Sequence, residues 1–392
     1  MANQSLVRHI NERRLLGILR VEGPVSRAEL ARRLSLTRAS VTGLVDDLLA
    51  RGMVCEKRAG DIGRRDVGRP GIAIALHPAG AYFLGIEIGV GILRFALLDL
   101  AAGIADTDAM PFERTLPPAA VVALIVERLA KWRARFGATI KAMCVTVPGL
   151  VRRDGHVVNL PILGWKDINL AALLTAATDL PCHIENNANA AAFGHIYSDP
   201  RPHHGVVVYL KIGTGCGGAV IIDDKLLRGG NGLGTEFGHL HVAPDGPLCS
   251  CGQRGCMETF VNLKALQRYA LGQDVNEAAT DPDLPLQVAE RLAKGDLDAE
   301  RAVATLASYL TEGLVDITNI FDPDTIVLGG TMAPVLDAVI ERVSPALSRR
   351  MVPGMAMPQL SVSRLGTFEC AIGAAALAHH EVLDLTNLDL TA

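Results

Sequence analysis

The sequence predicts a two-lobed α/β body over residues 81–392, preceded by an all-α/winged-helix head over residues 1–80. Three observations lead there. At 392 residues the chain is too long for one minimal domain. From Ala81 onward the texture changes from short capped helices to strand-like runs alternating with helices. The charge changes with it: residues 1–80 carry 14 Lys and Arg against 8 Asp and Glu, a net of +6, whereas the remainder carries a net of −10. A basic head on an acidic body points the head at a polyanion.

Composition excludes several classes. With 49% hydrophobic and 20% charged residues the chain can bury a sizeable core, so it is not a disordered protein. It holds no apolar run of about 18 residues, so no membrane insertion is expected. The opening stretch of residues 1–14 lacks an apolar centre and does not read as a secretion signal. Eight scattered cysteines do not resemble a disulfide scaffold and fit a reducing cytoplasm.

In the head, Leu6, Ile10, Leu15, Leu16 and Leu19 suit a helix over 5–20, stopped at Gly23-Pro24. Ser26 to Glu29 is a capping box, which opens a short helix reaching about Leu34. Thr37 caps the next helix, where Val41, Leu44, Val45, Leu48 and Leu49 form one apolar face before Gly52. Two short helices joined by a three-residue turn make a helix-turn-helix, whose second helix enters the major groove of double-stranded DNA by its first residues. These are Thr37, Arg38, Ala39, Ser40 and Thr42, small, polar or basic and free of acids. Two strands within Val54–Leu76 would carry a glycine-rich wing with Arg64, Arg65 and Arg69 at its tip, suited to the DNA backbone or minor groove. Ser26 and Arg27 complete the candidate DNA-contact set.

In the body, Tyr82–Leu100 reads as two strands around a glycine turn, 119–136 as a helix and Ala142–Val147 as a buried strand before Pro148-Gly149. A helix at 169–178, a strand into Ile184, a hairpin of Val206–Ile212 and Gly218–Ile222, helices at 262–271, 285–294 and 298–320, and a strand at Thr325–Leu328 follow. Lobe one is expected over about 81–200 plus a C-terminal helix over 371–392, and lobe two over about 201–370.

His239 followed by Cys249, Cys251 and Cys256 is the strongest chemical signal. Three thiolates and one imidazole fill a tetrahedral zinc shell and leave no open position, so such a Zn2+ would be structural. His241 competes with His239 for the fourth place, and spacing leaves both open. Cys55, Cys144, Cys182, Cys216 and Cys370 sit mostly in apolar runs and are expected in the core.

Glu236-Phe237-Gly238-His239, the cysteine run 249–258, Lys211 to Gly218, Glu185 to Ala191, Asn319 to Pro323 and Gly329-Gly330 together resemble the ROK family of repressors and sugar kinases, over roughly 80–390. A helix-turn-helix fused ahead of them, with Gly68-Arg69-Pro70 between, matches the repressor branch. The resemblance implies an actin-like, sugar-kinase (ribonuclease H-like) fold of two α/β lobes around a sugar-binding cleft. It also implies a homodimer or homotetramer. On the family's pattern Asn186, Glu236, His239 and Glu258 bind sugar hydroxyls, Asn187 can still hydrogen-bond, and His239 would give one ring nitrogen to zinc and the other to sugar. Pro148-Gly149 and Asn159 are further candidates for the pocket floor.

The chain departs from the family's kinases at two places. They carry E-N-D, whose aspartate takes the proton of the sugar hydroxyl; here the triplet is Glu185-Asn186-Asn187. An amide is no base at neutral pH, and losing a general base costs about 10²–10⁴-fold in rate. They also carry an Asp-x-Gly-Gly-Thr phosphate loop, where this chain has Glu87-Ile88-Gly89-Val90-Gly91. The resulting expectation is no catalysis, and a repressor released from operator DNA when a sugar closes the cleft. The alternatives are a ROK sugar kinase with an accessory DNA head, and a body titrated by a regulatory protein such as a sugar permease.

Overall fold

The computed structural model describes residues 4–58, 72–199, 201, 203–272 and 281–383. The head begins with α1 (Gln4–Glu22), a two-residue strand β1 (Val25–Ser26), α2 (Arg27–Leu34) and α3 (Arg38–Ala50). Ser26 Oγ accepts from the Glu29 N–H at 3.2 Å, which is half of the anticipated capping box. The other half is lost because Arg32 and Arg33 take the Glu29 carboxylate. Ser35 turns the chain in the left-handed region, and Thr37 Oγ1 accepts from Ser40 N at 3.1 Å to start α3. The wing strands β2 (Val54–Arg58) and β3 (Ile72–Leu76) pair antiparallel, and β1 adds to β3. Arg64, Arg65 and Arg69 lie outside the described residues.

The body holds two five-stranded sheets with one topology. The first contains β4 (Tyr82–Ile88), β5 (Ile92–Asp99) and β6 (Ile104–Pro111). Next come α4 (Pro118–Phe136), β7 (Ile140–Val147), a small sheet of β8 (Leu150–Val151), β9 (His156–Leu160) and β10 (Trp165–Asn169), then α5 (Leu170–Thr178), β11 (Cys182–Asn186) and α6 (Asn187–Tyr197). Its strand order is β11-β7-β4-β5-β6, an antiparallel meander continued by two parallel strands. The second contains β12 (Val206–Ile212), β13 (Cys216–Ile222) and β14 (Lys225–Leu226), then α7 (Leu263–Leu271), α8 (Leu284–Ala293), α9 (Leu297–Phe321), β15 (Thr325–Gly329), α10 (Ala333–Arg350) and β16 (Gln359–Val362). Its order, β14-β13-β12-β15-β16, repeats the first with the same strand directions.

The last helix, α11 (Glu369–Leu383), returns to the first sheet. It lies so close that a Cβ on Gly85 of β4 would stand 1.9 Å from the Ala371 carbonyl, so only glycine fits there. The helix anticipated at 371–392 thus begins at Glu369, and 384–392 fall outside the described residues. One apolar cluster fills the space between α4, α5 and the first sheet, and another lies between the second sheet and α7–α10. A third joins α1–α3 of the head to Phe83, Leu98, α6 and α11, so head and body share a continuous core. Among the scattered cysteines Cys144, Cys216 and Cys370 are buried, while Cys55 and Cys182 are half-buried.

Candidate functional site: a polar cleft beside a cysteine–histidine cluster

Where β11 ends, its last residues and the first of α6 form a polar wall. Asn186 is the helix cap: its Oδ1 accepts from Ala188 N at 2.7 Å, and its Nδ2 donates to the Gly149 carbonyl at 3.0 Å. Asn187 opens the helix and donates Nδ2 to Glu87 Oε1 at 3.4 Å, while its Oδ1 is buried without a protein partner. Arg94 holds the other Glu87 oxygen at 3.1 Å. Asn159 Oδ1 is likewise buried and unpartnered, and Gly149 packs on the Asn159 carbonyl, where a Cβ would stand at 2.5 Å.

The opposite wall comes from the loop after β14. Gly232, Leu233, Gly234 and Glu236 face Gly149, Asn186 and Asn189 across a space of only about 10 Å³. Burial pushes the Glu236 carboxyl above its ordinary range. Two arginines clasp the walls together. Arg228 donates Nε and Nη2 to the buried Glu185 Oε2 at 3.0 and 2.8 Å, and Arg153 donates to the Gly229 carbonyl at 2.7 Å. The two walls are therefore linked across the cleft by Arg228 and Arg153.

His239, Cys249, Cys251 and Cys256 converge, with one donor atom from each all within 4.8 Å of one another. His239 Nδ1 lies 3.5 Å from Cys249 Sγ, and Cys251 Sγ lies 3.6 Å from Cys256 Sγ. Ligands on a tetrahedral zinc with Zn–S near 2.3 Å stand about 3.8 Å apart, so the four donors fit such an ion. Burial and the neighbouring thiols hold the Cys256 thiol above its ordinary range, and a cation among the four donors would favour the thiolate. His241 lies outside this group of converging donors; its Nε2 donates to the Arg254 carbonyl. Glu258 braces the cluster, accepting from Ser250 Oγ at 3.3 Å and from the Cys249 thiol at 3.4 Å with Oε1, and from Cys216 N at 3.3 Å with Oε2.

On the head, Thr37, Arg38, Ala39, Ser40 and Thr42 are all exposed, as a reading surface requires. Two of them are partly spent locally: Thr37 caps α3, and Thr42 Oγ1 donates to the Arg38 carbonyl at 2.9 Å. Arg27 is tied inside the head, donating to Glu56 at 2.8 Å and Asp46 at 3.2 Å. Its role there is to join α2, α3 and β2, and Ser26 is a helix cap.

The ROK family model matches residues 83–381. The chain belongs to the ROK family. The MarR family model matches residues 9–65, the winged-helix head. The xylose repressor of Bacillus spizizenii is 27% identical over 392 residues, which covers 99% of this chain and 100% of that protein. The glucokinase of Streptomyces coelicolor is 32% identical over 311 residues, 75% of this chain and 96% of that enzyme. A solved ROK family transcriptional regulator, a homolog of the E. coli MLC protein, superposes with a TM-score of 0.77 at 24% identity over 96% of this chain and 97% of its own; that likeness speaks for the fold. This ROK chain thus has the sugar-kinase-like α/β fold and a winged-helix head, like the full-length regulator.

Several participants in the ROK cleft were not singled out from the sequence. Glu185 stood in the E-N-N triplet without a role, yet its carboxylate also receives Asn186 N at 2.8 Å and Asn189 Nδ2 at 2.9 Å. Arg94 comes from β5, and Arg153 and Arg228 come from separate loops; no spacing rule links them to the triplet. A larger crevice of about 960 Å³ lies behind the clasp, between the edge strands β11 and β14, with Arg13 of α1 and Glu381 of α11 among its walls.

Proposed function

We propose that this protein is a sugar-responsive transcriptional repressor: residues 1–80 bind operator DNA, and residues 81–392 bind the sugar that releases it. The observation that carries the reading is the Asn187–Glu87 contact. It leaves the cleft lined with donors and acceptors for a polyol but with a carboxamide where the kinases of the family hold a base. End-to-end similarity to a xylose repressor supports it and makes D-xylose the first sugar to try. The exposed, acid-free start of α3 supports major-groove reading, with Arg38 as the foremost contact; Arg64, Arg65 and Arg69 stay in the proposed DNA-contact set on the strength of the sequence.

Asn159, Asn186, Asn187, Glu236 and His239 form the proposed sugar set. Glu258 belongs to the same proposed set and also braces the cluster. His239, Cys249, Cys251 and Cys256 would hold a zinc ion, whose chemistry there is to cross-link the loop that carries Glu236 and His239. The working form is a homo-oligomer, since two heads on one axis read two half-sites. Among the described residues no helix is long and apolar enough to cross a membrane. For release to follow, the sugar must prefer the state with low operator affinity; equal affinity for both shifts nothing.

A second reading, a sugar kinase with an accessory DNA head, is favoured by the 32% identity to a glucokinase and by the Gly213-Thr214-Gly215 turn. An ADP-release assay over a sugar panel separates the two. The repressor reading predicts sugar binding without turnover, and sustained turnover would overturn it.

A further inference from the structure

One short helix touches every part that must communicate. α6 runs the 11 residues Asn187–Tyr197, about 16 Å at 1.5 Å per residue. Its cap and first residue, Asn186 and Asn187, are wall residues of the proposed sugar cleft. Beside its first turn lies the second sheet, where a Cβ on Gly217 of β13 would stand 3.0 Å from the Ala188 Cβ. In its middle it crosses α11 at near-contact, because a Cβ on Gly194 would lie 2.7 Å from Gly373 Cα. At its last residue it meets the head: Arg20 of α1 donates Nη2 to the Tyr197 carbonyl at 2.8 Å and stacks its guanidinium 3.5 Å above the Tyr197 ring.

All of α6 but His195 is buried, and its middle is three alanines, the packed Phe193 and a glycine. Such a helix has few side-chain rotamers to absorb a displacement, so it moves as a unit along α11 or not at all. The Tyr197 end is firmly gripped. Its hydroxyl shares a hydrogen bond with His379 Nδ1 at 2.6 Å, and its ring stacks on Phe193. A shift imposed at Asn186 therefore arrives at Arg20, whose bond to the carbonyl and whose stacking plane must follow it or break.

We infer that Arg20 is the positioning residue through which the sugar cleft acts on the DNA head, with α6 as the connecting rod. This rests on the repressor reading above and adds the route by which the cleft is heard. Arg20 touches neither the proposed sugar set nor the exposed start of α3. Its removal should therefore spare both binding events and abolish only their coupling.

The test uses the full chain and a DNA site selected by it from a random-sequence pool. Operator affinity is measured without sugar and with D-xylose or D-glucose for wild type, Arg20→Ala, Arg20→Lys and Tyr197→Phe. Sugar affinity is measured by calorimetry with and without DNA. The expected result is that wild type loses at least about 10-fold in operator affinity on sugar binding. Arg20→Ala should keep sugar affinity within about twofold while that loss shrinks to within about twofold of none, with DNA no longer altering sugar affinity. Arg20→Lys retains a donor without the stacking plane and should fall between, which keeps the test decisive if the alanine variant fails to fold. Tyr197→Phe keeps both the carbonyl and the ring, and should respond like wild type. A responsive wild type matched by an equally responsive Arg20→Ala, or by Arg20→Lys where the alanine variant does not fold, would overturn the inference alone. A wild type that binds sugar yet ignores it in DNA binding would overturn the repressor reading and this inference together.

Discussion

His239 joins the cysteine cluster to the Glu236 wall: its Nδ1 faces Cys249 at 3.5 Å and its Nε2 stands 4.0 Å from the Glu236 carboxylate. One imidazole is therefore shared between the proposed zinc shell and the proposed sugar set. Removing metal by chelation, or replacing Cys256 by serine, should free the loop from its cross-link and weaken sugar binding by about 10–100-fold. Elemental analysis should find one zinc per chain before chelation and a proportional loss of sugar affinity after it. Full sugar affinity in metal-free protein would separate the two roles.

The clasp makes a stability prediction. Glu185 is buried, and Arg228 is its cation. Arg228→Ala should destabilise the chain by about 2 kcal/mol, less than for a fully buried pair because Arg228 is partly exposed. It should also quicken sugar association, since one link between the walls is gone. Chemical denaturation and stopped-flow binding read the two effects.

Asn187→Asp should not restore a kinase. The new carboxylate would face Glu87 across the 3.4 Å now spanned by a hydrogen bond. Two carboxylates that close raise the pKa of one of them in the folded state. The penalty is then absent below about pH 4, where the unfolded carboxyl is protonated too, and grows as pH rises through the raised folded value. About 2 kcal/mol relative to wild type at pH 7 is expected, with no sustained ADP release. Denaturation midpoints of both proteins across pH 3–8 test the sign.

His379 predicts acid sensitivity at the junction of head and body. Burial lowers it to about 3, while Nε2 donates to the Leu100 carbonyl and Nδ1 accepts from Tyr197. Its folded pKa lies below its unfolded one. Between about pH 6.5 and pH 3 the unfolded chain therefore takes up a proton that the folded chain refuses. From this group stability should fall with acidification by up to about 1.4 kcal/mol per pH unit, and His379→Gln should flatten that slope. Thermal unfolding between pH 5 and pH 7 measures it.

The head offers a contrast between two arginines. Arg38→Ala should weaken operator binding across sequences and reduce the salt slope by about 1 if Arg38 meets phosphate, leaving stability untouched. Arg27→Ala should instead lower the melting temperature, because it breaks the links to Glu56 and Asp46.

What was legible beforehand was local. Ser26 and Thr37 announced two helix starts, and the His239–Cys256 spacing announced a cluster, because caps and ligand runs lie within a few residues of sequence. Two features were hidden for the opposite reason. α6 is buried on nearly all sides, so no amphipathic period marks it; its alanines and the Asn186 cap make it a helix. Arg228 and Glu185 are 43 residues apart, and only the folded cleft brings them together. Spacing alone left His241 open beside His239; the fold places His239, not His241, among the three thiols.

The central claim is best tested by titrating the full chain onto its selected DNA site with and without D-xylose, and D-glucose in parallel, by fluorescence anisotropy. The repressor account predicts that a bound sugar shifts the titration to at least about 10-fold higher protein concentration. Superimposable curves with sugar demonstrably bound would contradict it.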